Sequence, residues 1–213
     1  MLKIAPSILS ADFCQLAEEI KKIEKAGADL LHLDIMDGHF VPQLTFGNPI
    51  IASLASSSNL LFDAHLMVKN PEFYIDSFAQ LRICYFSFHY ETVKNIPRMI
   101  ERIKKNKMKA GIALNPETPV SQIIEYLSII DFVLIMSVHP GFSGQKFIDF
   151  SLDKIKILNS TRKNRELKFE IEVDGGINSE NIHKISHAGA DIIVAGNYIF
   201  KHHNYSEAIK SLK

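Results

Sequence analysis

Between residues 2 and 212 the chain alternates eight times between a short apolar run and a longer segment with helical spacing, with no linker or low-complexity stretch between them. The apolar runs fall at 2–5, 30–35, 60–67, 84–89, 109–114, 132–138, 169–173 and 191–195. Glycine, proline or polar residues bound them, as they bound buried strands. The helical segments fall at about 12–25, 48–56, 70 onward, 96–106, 118–129, 148–161, 178–187 and 206–212. In the first of these Asp12 supplies a cap, Leu16, Ile20 and Ile23 share one face, and Gly27 ends the helix. Strands separated by helices predict an α/β fold with a parallel sheet covered on both faces. Such a sheet either closes as a barrel or stays open and doubly wound. The count of eight favours a single (β/α)8 TIM barrel spanning residues 1–213. An echo between residues 26–31 (Ala-Gly-Ala-Asp-Leu-Leu) and 188–193 (Ala-Gly-Ala-Asp-Ile-Ile) marks the repeated unit.

Charge narrows the partners. Twenty-four basic and 24 acidic side chains balance, so nothing favours nucleic acid or an anionic membrane. No apolar run approaches the length of a membrane-spanning helix. Residues 3–6 lack a signal-segment pattern, and two cysteines without CxxC spacing suit a reducing compartment, so a cytoplasmic protein is expected.

The polar residues gather after strands, which in a barrel means one mouth. His32 and Asp34 are two apart on the second run and therefore point to the same side. Two such groups at the end of a buried strand need a metal, a hydrogen-bond network or a substrate to offset desolvation. A satisfied His–Asp pair in a polar corner is the plainer reading of that run alone. His65 on the third run and Asp174 at the end of the seventh extend it. The second and third strands are neighbours, and the seventh is three steps round the ring through the first and eighth. His32, Asp34, His65 and Asp174 can thus converge as ligands for one divalent ion, Zn²⁺, Fe²⁺, Mn²⁺ or Co²⁺; the imidazoles argue against Mg²⁺ and Ca²⁺. Glycine marks three consecutive late loops: Gly141-Phe142-Ser143-Gly144, Gly175-Gly176 and Gly196-Asn197. Backbone N–H groups there suit a phosphate, and none of these loops carries an arginine. Met36, Met67 and Met136 end the second, third and sixth runs and suggest an apolar floor, although methionine also fills cores.

A metal, two carboxylates on different sides and a phosphate grip suit proton chemistry beside a carbonyl. Asp34 and Asp174 would work on opposite faces, one removing a proton and the other returning one. This inverts a stereocentre through an enediolate without an organic cofactor.

These residues lie in motifs that resemble the ribulose-phosphate 3-epimerase family over essentially the whole chain. The motifs are residues 5–13 (Ala-Pro-Ser-Ile-Leu-Ser-Ala-Asp-Phe), the run from His32 through Asp34-Ile35-Met36-Asp37-Gly38-His39-Phe40-Val41-Pro42 to Phe46-Gly47, Asp63-Ala64-His65-Leu66-Met67-Val68, residues 136–145 (Met-Ser-Val-His-Pro-Gly-Phe-Ser-Gly-Gln) and Glu172-Val173-Asp174-Gly175-Gly176-Ile177. The resemblance implies a (β/α)8 barrel that interconverts D-ribulose 5-phosphate and D-xylulose 5-phosphate in the pentose phosphate pathway. It implies His32, Asp34, His65 and Asp174 as metal ligands and Asp34 and Asp174 as the acid/base pair. Ser7 and His65 would contact the substrate, the three glycine loops would hold its phosphate, and a homo-oligomer would form. The chain departs from the family pattern at His139, Ser143 and Asn197-Tyr198, the last being bulkier than the usual Ser-Ala, and at Leu81-Arg82-Ile83. Alternative readings are an epimerase for allulose 6-phosphate and, on the same barrel, a metal-dependent aldolase or decarboxylase or a silent binding protein.

Overall fold

A computed structural model describes residues 2–213. Eight strands, β1 (Lys3–Pro6), β2 (Leu30–Met36), β3 (Leu61–Met67), β4 (Ile83–His89), β5 (Lys109–Leu114), β6 (Phe132–Met136), β7 (Glu170–Asp174) and β8 (Ile192–Ala195), pair in parallel in the order β1-β8-β7-β6-β5-β4-β3-β2. The two end strands meet. Asp29 N–H donates to the Ile4 carbonyl (2.9 Å), the Ile4 N–H donates to Asp29 Oδ2 (2.8 Å), and Ser7 bridges to His32 in parallel. The sheet is therefore a nearly closed (β/α)8 barrel, as the count of eight predicts.

Helices α1 (Leu16–Lys25), α2 (Asn48–Ala55), α3 (Ile75–Phe78), α4 (Ile96–Lys105), α5 (Ser151–Asn164) and α6 (Ile182–Ala188) lie between strands, and α7 (Asn197–Phe200) and α8 (Tyr205–Lys210) follow β8. Their apolar faces and the outward strand residues form the main core, with Ile20, Leu33, Phe62, Phe86 and Ile171 among its fully buried members. A smaller cluster that includes Ala5, Tyr85, Phe132, Leu134 and Val194 fills the ring itself. Strand alternation places polar residues among these inward positions, so the ring is apolar on some strands and ionisable on others.

The expected helix at 118–129 is absent. Only a 3-10 turn over Val120–Ile123 forms, followed by further turns in which N–H groups bond three residues back, as Tyr126 N–H does to Ile123. Val120, Ile123 and Ile124 are β-branched, which weakens α-helix, and Thr118 is tied by its hydroxyl to Glu91. Residues 148–150 stay outside α5, and α7 is an unexpected extra turn after β8.

The N-terminal end of the ring is plugged by one network. Lys3 Nζ donates to Tyr85 Oη (2.9 Å) and Glu170 Oε1 (2.6 Å), and Lys109 Nζ donates to Tyr85 Oη and Glu170 Oε2 (2.8 Å each). The Tyr85 hydroxyl donates to Glu170 Oε2 (2.8 Å). The opposite, C-terminal end is left open for the site.

Candidate active site

Register fixes the first pair of ligand candidates. His32 lies opposite Asp63, and Asp34 opposite His65, in the β2–β3 ladder. All four point inward, and all are buried. His32 Nδ1 is 2.6 Å from Asp63 Oδ2, so this nitrogen carries the proton that Asp63 accepts. His32 Nε2 is 3.5 Å from Asp34 Oδ1, and His65 Nδ1 is 3.4 Å from the same oxygen and 3.9 Å from Asp174 Oδ2. Asp34 Oδ2 accepts from the Ser7 hydroxyl at 2.5 Å. One ligand atom from each of His32, Asp34, His65 and Asp174 lies within 4.8 Å of the others.

These residues fit a cation. His32 Nε2 and His65 Nδ1 are buried without a hydrogen-bond partner among the described residues, and both sit beside the same carboxylate oxygen. Two imidazole nitrogens with carboxylate oxygens suit Zn²⁺, Fe²⁺, Mn²⁺ or Co²⁺.

Electrostatics set the two aspartates apart. Burial pushes the Asp34 carboxyl up, but His32 and then His65 outweigh it and hold Asp34 well below the usual carboxylate range. Burial and the charge of Asp34 push Asp174 up to about 7. Burial opposes charge on His32, yet the Asp63 and Asp34 carboxylates raise it well above the ordinary imidazole range. Burial lowers His65 to about 4. Two carboxylates with opposed proton affinities in one site are the pattern of an acid and a base.

A cavity of about 310 Å³ opens above the cluster. Ser7, Asp34 and Asp174, the methionines Met36, Met67 and Met136, and Gly141, Phe142, Ser143, Gly144, Gly175, Gly176, Gly196 and Asn197 all reach it. His32 and His65 lie fully buried beneath it. The loops are closely packed. At Gly176 (φ +66°) an added Cβ would stand 2.3 Å from the Phe147 backbone nitrogen. Asn197 reaches across to Gly144, where a Cβ would meet its Nδ2 at 2.3 Å. Tyr198, the bulky departure, packs on the main core, and its hydroxyl pairs with Ser211 Oγ at 2.8 Å.

Three buried groups belong to the site without having been singled out from the sequence: Asp63, Glu172 and His89. Glu172 Oε1 is 3.7 Å from His32 Nδ1, and burial together with Asp63 raises its carboxyl well above the usual range. His89 Nε2 is 2.8 Å from His65 Nε2. The signal was available: Asp63 and Glu172 stand two residues before His65 and Asp174, hence on the same inward face, and His89 ends its strand.

A parallel barrel with buried histidines and carboxylates converging at its C-terminal mouth has the layout of a (β/α)8-barrel enzyme. The chain belongs to the ribulose-phosphate 3-epimerase family, whose profile matches residues 3–200, and it is an epimerase. It is 44% identical over 214 residues to the ribulose-phosphate 3-epimerase of Bacillus subtilis, covering 100% of this chain and 99% of that one. It is 42% identical over 213 residues to the Aquifex aeolicus enzyme of the same name, covering 100% and 96%. The chloroplastic ribulose-5-phosphate-3-epimerase of Arabidopsis thaliana is 42% identical over 212 residues, covering 99% of this chain and 75% of the relative. Among solved structures, 3-hexulose-6-phosphate synthase (TM-score 0.67, 16% identity, coverage 99% and 97%) and Thermus thermophilus phosphoribosyl anthranilate isomerase (TM-score 0.66, 14% identity, coverage 99% and 96%) share the fold.

Proposed function

We propose that this epimerase interconverts D-ribulose 5-phosphate and D-xylulose 5-phosphate by moving a proton off one face of C3 and onto the other. The observation that carries this is the pair Asp34 and Asp174. They come from β2 and β7, reach one buried cluster and differ in proton affinity. In one direction Asp34, ionised, takes the C3 proton and Asp174, protonated, delivers one to the opposite face; in the other direction the roles exchange. Ser7 steadies Asp34 through Oδ2. His32, Asp34, His65 and, when ionised, Asp174 would hold one divalent cation, which would supply stabilisation of the enediolate charge worth several kcal/mol. Backbone N–H groups of loops 141–144, 175–176 and 196–197 bind the phosphate, and Met36, Met67 and Met136 keep the floor apolar and poor in water.

The family relation supports a place in the pentose phosphate pathway, a cytoplasmic site of action and a homo-oligomeric state. No helix of the described residues is long and apolar enough to cross a membrane.

The test is proton NMR of ribulose 5-phosphate in D₂O with metal-loaded protein, beside Asp174→Asn. Deuterium entering C3 with xylulose 5-phosphate appearing is the expected result. Asp174→Asn should slow conversion by about 10²- to 10⁴-fold, the span of a lost acid/base group. A wild type that neither exchanges C3–H nor forms xylulose 5-phosphate sinks the proposal, and allulose 6-phosphate is then the next substrate to assay.

A further inference from the structure

His65 is the site's entrance to a buried line of side chains that runs away from the cavity. Its Nε2 faces His89 Nε2 at 2.8 Å, and His89 Nδ1 faces Glu91 Oε2 at 3.3 Å. Both imidazoles are fully buried, and the Phe40 ring lies over His89 at 4.6 Å between centroids. Glu91 ends the line from the turn after β4. Its Oε1 accepts from the Asn115 N–H (3.2 Å) and the Thr118 hydroxyl. Lys154 Nζ, bound to the Asn115 and Thr118 carbonyls at 2.7 Å each, anchors that same loop.

The line has three gaps: Asp34 to His65, His65 to His89, and His89 to Glu91. Two neutral imidazoles bring two protons. The 2.8 Å gap between the rings must hold one of them, since two bare nitrogens so close would repel. One carboxylate gap therefore stays without a proton. Among the described residues Glu91 Oε2 faces His89 Nδ1, whereas Asp34 Oδ2 is already served by the Ser7 hydroxyl and a cation held by His65 needs its Nδ1 bare. The proton accordingly goes to the Glu91 gap. His89 then carries its proton on Nδ1 and accepts on Nε2, and His65 carries its proton on Nε2.

We propose that Glu91, acting through His89, fixes the tautomer of His65, so that its bare Nδ1 faces Asp34 and Asp174 and presents a lone pair to a cation. The inference rests on the reading of His65 as a metal ligand. His89 and Glu91 are positioning residues in it. Asp63 does the same for His32 by direct contact; Glu91 acts at one ring's remove.

The primary test needs no variant. Long-range ¹H–¹⁵N correlation spectra of the metal-free protein should show His65 protonated on Nε2 and His89 on Nδ1. The reverse order, His65 on Nδ1 and His89 on Nε2, overturns the proposal. Glu91→Ala should move the His65 proton to Nδ1 and weaken Zn²⁺ binding, measured by chelator competition, by about 10- to 100-fold. His89→Leu should weaken it similarly. His89→Gln should restore it to within about threefold of wild type, because a glutamine oxygen can accept from His65 Nε2–H. Unchanged Zn²⁺ affinity in Glu91→Ala also overturns the proposal. A wild type that binds neither Zn²⁺ nor Co²⁺ would instead defeat the metal reading, while the tautomer spectrum still decides the order of protons.

Discussion

Gly176→Ala and Gly27→Ala form a matched pair that separates backbone strain from loop packing. Both glycines have left-handed φ, +66° and +88°. An added Cβ at Gly27 meets nothing within 4 Å, whereas at Gly176 it stands 2.3 Å from Phe147 N and 2.8 Å from Lys146 C. Gly27→Ala should therefore cost only the left-handed penalty, about 1–2 kcal/mol. Gly176→Ala adds an overpacking term of about 1–3 kcal/mol, since the contact is with backbone, which cannot rotate away. Reaching ordinary contact at 3.4 Å requires the loop after β7 to move from the loop after β6 by about 1 Å. Displacement of that size at a binding loop costs about 10²-fold in kcat/KM. In thermal unfolding the Gly27 variant should lose a few degrees and the Gly176 variant roughly twice that or more, at about 2–4 °C per kcal/mol for a chain of this size. Inorganic phosphate should also weaken as a competitive inhibitor of Gly176→Ala, and of that variant alone. Equal melting points with kcat/KM intact in both variants would refute the reasoning, because the two loops would then not be packed as described.

Three further outcomes follow from Asp174 and from the hydrogen-bonded network around Tyr85. Asp174 is pushed up to about 7, so in the metal-free protein it is protonated below that value, and a cation that takes this carboxylate as a ligand displaces the proton. Zn²⁺ affinity should fall about tenfold per pH unit below 7 from this group alone. A raised folded pKa also means that its contribution to stability is present below the ordinary value of 3.8 and is lost as pH rises through about 7, so the metal-free protein should melt lower at pH 8 than at pH 5. A Zn²⁺ affinity that is flat from pH 5 to 7 would contradict this. Tyr85→Phe removes the hydroxyl that accepts from Lys3 and Lys109 and donates to Glu170 at the far end of the barrel. It should destabilise by about 1–3 kcal/mol in urea unfolding and leave kcat/KM unchanged.

The barrel was legible because each strand is a short, largely buried run rich in apolar residues, and helical spacing always intervenes. The segment 118–129 misled for a related reason. Its apolar positions Val120, Ile123, Leu127 and Ile130 have helical spacing and are buried, but β-branched residues and the Thr118 tie leave it as turns. In the site, His32 and Asp34 were readable from their two-residue spacing, and His65 and Asp174 from their place at strand ends. The layer beneath was not singled out. Asp63 and Glu172 obey the same spacing, yet their meaning depends on what lies on other strands, such as the 2.6 Å contact of Asp63 with His32 on the neighbouring strand. Ser7 came from the resemblance alone, since its contact with Asp34 joins positions 27 apart. Tyr198 shows the converse: its bulk was visible, but its pairing with Ser211 was not.

The ring is continuous everywhere except between its first and second strands, and the clasp there is made partly from the reaction site. Ser7 bridges His32 along the backbone and holds Asp34 through its hydroxyl. If the ring breathes at this clasp, the first thing lost is the support of Asp34, the carboxylate proposed to move the proton, before the core is exposed. Turnover would then report on closure of the circle itself, and whatever occupies the mouth would tighten the joint by holding both of its sides. Amide exchange at β1 and β2, slowed by a bound sugar phosphate more than exchange at β5 or β6, would be the signature of a catalyst whose substrate helps to complete its own fold.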